Sequence, residues 1–170
     1  MYKLESYSKE DGALIVNESI MYRAYLLAGS GDEAVALVVG LNQQALQQQL
    51  AVHRFAFETA GIEVNGVGVK TDRESQGLIC NAFVSLTNDL VPDVDFKAVS
   101  DWLLIDKALI KPVAKAVAAH SRGCFKGEKA VEQLIKSATT VADIEAIDIP
   151  SAFSLAYQSA YDEVMQPAGA

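Results

Sequence analysis

Apolar and polar positions along this chain follow two rhythms, and the change from one to the other marks its elements. Tyr2-Lys3-Leu4 and Ala13-Leu14-Ile15-Val16 flank the turn pair Asp11-Gly12, which predicts an edge hairpin. Asn17 is placed to cap a short helix through Leu27, stopped at Gly29-Ser30-Gly31. From Asp32 to Ala60, apolar residues return at helical steps: Val35, Val39, Leu46, Leu50, His53 and Phe57 form a coiled-coil-like seam. Polar Asn42 and Gln43 interrupt it, and Gly40 is a candidate break. The seam reads either as one helix packing on its own domain or as a self-association face, which leaves a homo-oligomer through the 35–57 helix open.

Gly61 ends that helix. Ile62-Glu63-Val64 and Val67-Gly68-Val69 then alternate around Asn65-Gly66, a hairpin signal because both turn positions need positive φ. Thr71 with Glu74 forms a capping box, so a helix is predicted to Leu86 with Leu78, Ile79, Ala82, Phe83 and Leu86 on its apolar face. After a loop, Val94 to Val99 and Trp102 to Ile105 form another hairpin turning at Ser100-Asp101. Asp106 can cap the next helix, and Pro112 moves its expected start toward Lys111.

At about 100° per residue, Leu109, Val113, Ala116, Val117, His120, Cys124, Val131, Leu134, Ile135 and Ala138 share one face. That phase survives Gly123 and Gly127, which predicts a continuous helix. Thr139-Thr140 caps a short helix through Ile147, and Ser151 is the expected cap of a last helix ending near Gln166-Pro167. The fold class expected is α+β, mainly α-helical, with two or three small β-hairpins and one long amphipathic helix near 107–138. The expected organisation is an N-terminal hairpin and helical segment over 1–60, an α+β domain over 61–148 and a C-terminal helix over 149–170.

Composition narrows the function. Hydrophobic residues make up 51% of the 170, enough for a real core. The net charge of -8 disfavours nucleic acid, whose phosphates need a basic surface. The first residues lack an apolar signal core, and the longest apolar run, Ala34 to Leu41, is too short for a membrane span. With Cys80 and Cys124 alone there is no disulfide scaffold, so reduced thiols and a cytoplasmic location are expected.

Candidate chemistry is thin. Gly66-Val67-Gly68-Val69-Lys70-Thr71 resembles a phosphate loop, but Val69 stands where a glycine must precede the lysine. Asp93-Val94-Asp95 could open a calcium loop, yet the next ligand position is Lys97 and the twelfth is Leu104. His120 and Cys124 share a helical face, but zinc wants four ligands and only Cys80 and His53 remain, all on apolar stripes. No G-x-S-x-G elbow exists. Asp143, Glu145 and Asp148 read as an exposed helical face. No catalytic, cofactor-binding or metal-binding residue is therefore assigned, and no enzyme or cofactor is expected.

One pattern points outward. Lys107, Lys111, Lys115, Arg122, Lys126, Lys129 and Lys136 fall within about a 100° arc opposite the apolar face of the long helix. Phe125 projects inside this stripe. It is either a solvated face with Phe125 covered by another element, or a docking face for an acidic protein surface. On the second reading Lys111, Lys115, Arg122, Lys126 and Lys129 make the contact and Phe125 is the anchor.

Several stretches together carry a resemblance: Arg54 with Ala60-Gly61-Ile62; Val69-Lys70-Thr71-Asp72-Arg73-Glu74-Ser75-Gln76; Phe96-Lys97; Ala118-Ala119-His120; Cys124-Phe125; and Asp143-Ile144-Glu145-Ala146-Ile147-Asp148. Over roughly residues 52 to 148 the chain resembles a phage domain of unknown function carried by, or encoded beside, tail-fibre assembly proteins. Asn17 with Tyr22-Arg23-Ala24-Tyr25-Leu26 is similar, more loosely, to the short helix ahead of that domain. Where the family shows Trp-Lys, this chain has Phe96-Lys97. The resemblance supplies no catalytic residues.

It implies tailed-phage assembly, with a tail fibre or neighbouring tail protein as partner. The expected function is a non-enzymatic assembly chaperone for the fibre, in the host cytoplasm during phage assembly. The alternatives are a permanent tail or baseplate adaptor in the virion and, more remotely, a phage hydrolase.

Overall fold

The computed structural model describes residues 1–7, 13–19, 22–27, 30–97 and 102–166. The elements in order are β1 (Lys3–Tyr7), β2 (Ala13–Ser19), β3 (Tyr22–Leu27), α1 (Gly31–Thr59), β4 (Ile62–Val64), β5 (Val67–Val69), α2 (Arg73–Thr87), β6 (Val94–Lys97), β7 (Trp102–Ile105), α3 (Lys107–Ser137), α4 (Val141–Glu145) and α5 (Ile149–Met165). The fold is α+β and mainly helical, as the hydrophobic periodicity predicts. Two compact units divide it: Met1–Val52 with Lys129–Ala152, and His53–Glu128 with Phe153–Ala170.

In the first unit, β1, β2 and β3 form an antiparallel sheet in that order. The short helix expected from Asn17 through Leu27 is not there. Its described residues are strand, the end of β2 and all of β3, with Asn17 opposite Arg23 and Ala13 opposite Leu27. A helix that short closes few hydrogen bonds of its own, whereas pairing with β2 engages backbone groups along its length. The expected turns at Asp11-Gly12 and Ser100-Asp101 lie outside the described residues.

Helix α1 runs through Gly40 without a break, and that glycine sits in open space. The two polar residues that interrupt the seam have structural work. Asn42, 1% exposed, accepts from the Tyr2 amide at 2.6 Å and donates to the Tyr2 carbonyl at 2.8 Å. Gln43 donates through Nε2 to the carbonyls of Ile135, at 3.0 Å, and Ala138, at 2.9 Å. These carbonyls lie at the C-terminal end of α3, where helices leave acceptors unpaired. Val39, Leu46 and Leu50 are buried, while Val35 is exposed.

Thr140 caps α4 in a full capping box with Asp143. The expected cap of α5, Ser151, is instead the residue being capped: Asp148 accepts from its amide at 3.3 Å and its hydroxyl at 2.6 Å.

In the second unit, β4 and β5 pair around Asn65 and Gly66, whose φ values of 54° and 80° suit the tight turn that Asn-Gly predicts. Its core joins Val64, Val69, Ile79, Ala82, Leu86, Ile105, Ile110, Ala116 and Val117, with Phe83, Val94 and Phe96 packed against them. Leu78 and Leu109, expected on core faces, are more than half exposed, as they flank stripes narrower than the predicted arcs. Helix α3 begins at Lys107 rather than near Lys111. Asp106 Oδ1 accepts from the amides of Ala108 and Leu109 at 2.9 Å, and Ile110 is fully buried. The first turn is capped and docked, which offsets the hydrogen bond lost at Pro112.

Candidate functional site

Most of the residues that carry the sequence resemblance meet in the second unit, around the C-terminal end of α1. Thr71, predicted to cap α2, serves α1 instead. Its buried hydroxyl donates to the main-chain carbonyl of Glu58 at 2.5 Å and accepts from the Gly61 amide at 3.0 Å. Gly61 stands just past the helix end with φ 90°, the left-handed position that favours glycine there.

The α2 cap is Asp72, which accepts from the Ser75 amide at 2.9 Å and its hydroxyl at 2.8 Å. Those bonds, the amide first, hold the Asp72 carboxyl below the usual carboxylate range. Gln76 donates to the Thr71 carbonyl at 2.7 Å and accepts from the Ser121 hydroxyl at 3.1 Å, tying α2 to α3. Thus four members of the Thr-Asp-Arg-Glu-Ser-Gln string have structural partners. Arg73 and Glu74 are exposed.

His120, 1% exposed, reads the same carbonyl as Thr71. Its Nε2 lies 3.0 Å from the Glu58 carbonyl oxygen, which can only accept. A neutral imidazole then carries its proton on Nε2, and Nδ1 accepts from the Tyr157 hydroxyl at 2.9 Å. Phe57 stacks on the His120 ring at 5.9 Å and meets Tyr157 edge-on at 4.8 Å. His53 packs edge-on against Phe153 at 4.9 Å.

Two glycines of α3 admit this cluster. A β-carbon at Gly123 would stand 2.7 Å from the Tyr157 ring, and one at Gly127 would stand 2.9 Å from the Phe153 ring. Their spacing of four, on the face opposite an aromatic pair also spaced by four, is a sequence signal for close helix approach.

Both nitrogens of His120 are occupied, so it is a poor metal ligand. Cys124, whose sulfur lies 3.8 Å from His120 Nε2, is fully buried. Burial, followed by the Glu58 charge, pushes its thiol up to about 12. Burial likewise pushes the Tyr157 phenol upward. Cys80 is exposed on α2. Among the described residues no three His, Cys, Asp or Glu side chains come together as a metal site.

Beside the hub, Arg54 pairs with Glu58 one turn away, both nearly buried. Its Nε lies 3.3 Å from Glu128 Oε2 without hydrogen-bond alignment, and its guanidinium stands 5.2 Å over the Phe125 ring. Phe125 is covered by α1 on one face only, by Arg54, and is 52% exposed.

The other outward residues of α3 divide. Arg122 is held by Glu163 at 2.5 Å and by the Ala160 carbonyl at 2.5 Å. Lys107 pairs with Asp89, and Lys136 with Glu132. Lys111, Lys115, Lys126 and Lys129 are exposed and have no ion-pair partner among the described residues; Lys129 belongs to the first unit. Lys111 and Lys115 border a concave apolar surface between α2 and α3, which sequence reasoning missed because its two walls come from separate elements.

A family model described as Domain of unknown function (DUF4376) matches residues 42–149. The chain belongs to the DUF4376 family. The DUF4376 segment takes in the Glu58 hub, the Asp72 cap and the whole of α3. No curated protein matches the chain, and no solved structure does.

Among the described residues, no helix of this DUF4376 protein is long and apolar enough to cross a membrane.

Proposed function

We propose that this DUF4376 protein is a non-enzymatic tail-fibre-associated protein of a tailed bacteriophage or prophage, acting as an assembly chaperone for the fibre in the host cytoplasm. The tail context rests on the sequence resemblance over roughly residues 52 to 148. The observation that favours binding over chemistry is how the polar groups are used. Thr71, Asp72, Gln76 and His120 engage their hydrogen-bonding groups in closing helix ends and joining elements. Lys111, Lys115 and Lys126 face outward on α3 without an ion-pair partner among the described residues, beside a half-exposed phenylalanine, a set suited to holding an acidic protein surface.

The contact residues on this reading are Lys111, Lys115, Phe125 and Lys126, all in the second unit; Lys129 belongs to the first and is left out. Arg122 drops from the set because its guanidinium already serves Glu163 and Ala160.

Co-production tests the chaperone. A tail-fibre protein of the same phage, made with and without this chain, is expected to yield soluble trimers only in its presence. Equal yields of trimer in both cases would refute the role. Mass spectrometry of purified particles separates the alternative: presence at the abundance of a known tail protein would make it a virion adaptor.

A further inference from the structure

We propose that the groove between α2 and α3 receives an amphipathic helix of the partner, one whose apolar face is flanked on one side by carboxylates four residues apart. The inference deepens the docking reading and rests on α3 being a protein-binding face.

The groove has a volume of about 480 Å³. Ile79, Phe83, Ala114, Val117 and Ala118 give it an apolar floor, and Lys111 and Lys115 stand on its α3 side. At 1.5 Å per residue, the α3 wall from Lys111 to Ser121 is roughly 15 Å long, between two and three helical turns. Both walls are helices with their main-chain groups internally bonded, so an extended strand would find no edge to pair with. A helix needs no such edge. Ala114 and Ala118, one turn apart, keep that wall low enough for close approach.

Charge selects the occupant further. Gln76 and Ser121, the polar groups of the groove, are bonded to each other and to Thr71. The lysines are therefore the free polar contacts, and their four-residue spacing matches carboxylates at the same spacing on a facing helix. In a chain of net charge -8, two lysines one turn apart, without ion-pair partners among the described residues, give the surface beside this apolar floor a local sign opposite to the whole.

The test uses the full chain and two synthetic stapled helical peptides sharing a leucine face, one with Glu at two positions four apart, the other with Lys there. Fluorescence anisotropy reads affinity, and the rate of Cys80 alkylation by iodoacetamide reads occupancy, since Cys80 lines the groove. The Glu peptide is expected to bind at least about tenfold more tightly than the Lys peptide, a difference of about 1.4 kcal/mol. It should also slow Cys80 alkylation severalfold. Lys111→Glu with Lys115→Glu should reverse the preference, and Ala118→Trp should abolish binding of the Glu peptide.

Equal affinity for the two peptides, a preference that survives the charge reversal, or binding that leaves Cys80 unprotected would overturn the proposal. Failure of the fibre to associate while the Glu peptide binds would remove the fibre reading alone. Fibre association unaffected by Ala118→Trp would remove the groove alone.

Discussion

Thr71 and Glu58, thirteen residues apart, close the end of α1 together: the threonine hydroxyl donates to the glutamate's main-chain carbonyl at 2.5 Å. The same oxygen of Thr71 accepts from Gly61, and the same carbonyl of Glu58 meets His120. One side chain thus satisfies a helix end, and one carbonyl connects α1 to α3. Thr71→Val keeps the shape and removes both hydrogen bonds, leaving the Gly61 amide without its threonine partner. A loss of about 2–3 kcal/mol is expected, with Thr71→Ser recovering most of it. Urea denaturation with an unchanged slope measures it; an unaltered midpoint for the valine variant would contradict the assignment.

The two pairs of glycines predict opposite signs. At Gly123 and Gly127 an added methyl would meet the rings of Tyr157 and Phe153 within 3 Å. Ala at either position gains up to about 1 kcal/mol of helix propensity but is expected to lose more to overpacking, about 1–3 kcal/mol. At Gly40 and Gly77 nothing lies within 4 Å of an added methyl, so alanine should stabilise by up to about 1 kcal/mol. Thermal unfolding of the four single variants reads the signs directly.

Much of this was legible in the sequence, and the failures share a cause. The long helix, the Asn65-Gly66 hairpin and the Asp106 cap follow from local periodicity and turn chemistry, and they form where expected. Thr71 does not cap α2 because a capping box is a local pattern, whereas its partners, Glu58 and Gly61, lie upstream across a hairpin. The helix expected from Asn17 to Leu27 failed similarly, since strand pairing with β2 is not written in either segment alone. Asn42 and Gln43 looked like flaws in a seam until the carbonyls they serve were brought to them by the fold. The groove beside Lys111 and Lys115 could not be seen at all, because its walls are separate in sequence.

The two cysteines should behave unlike each other. Cys80 is exposed, while Cys124 is buried with its thiol pushed up to about 12. At pH 8, iodoacetamide is expected to modify Cys80 alone in the folded protein and both thiols in denaturant, by intact-mass measurement. Because the folded-state value of Cys124 lies above the ordinary 9.0, its contribution is complete below pH 9 and is lost as pH rises toward 12. Cys124→Ala should remove that part of the alkaline decline. Rapid double modification of the folded chain would contradict the burial.

On the acid side the sign is opposite. Ser75 lowers the carboxyl of Asp72, and Thr140 with Thr139 lowers that of Asp143. Stability from these caps is present above the ordinary carboxylate value of 3.8 and is lost as pH falls through the lowered values. Urea midpoints should therefore hold steady toward pH 4 and fall below it. Asp72→Asn keeps a capping side chain and should flatten part of that fall; an acid limb identical to wild type would remove Asp72 from the account.

The most direct measurement of the docking claim is affinity isolation of the tagged full chain from cells producing the phage, beside the Lys115→Glu, Lys126→Glu variant. Both lysines are exposed, so the variant should unfold at the wild-type temperature. The account predicts that a tail-fibre polypeptide is recovered in stoichiometric amount with the wild type and is lost with the variant. Recovery of no tail protein, or of the fibre equally with both, would contradict it.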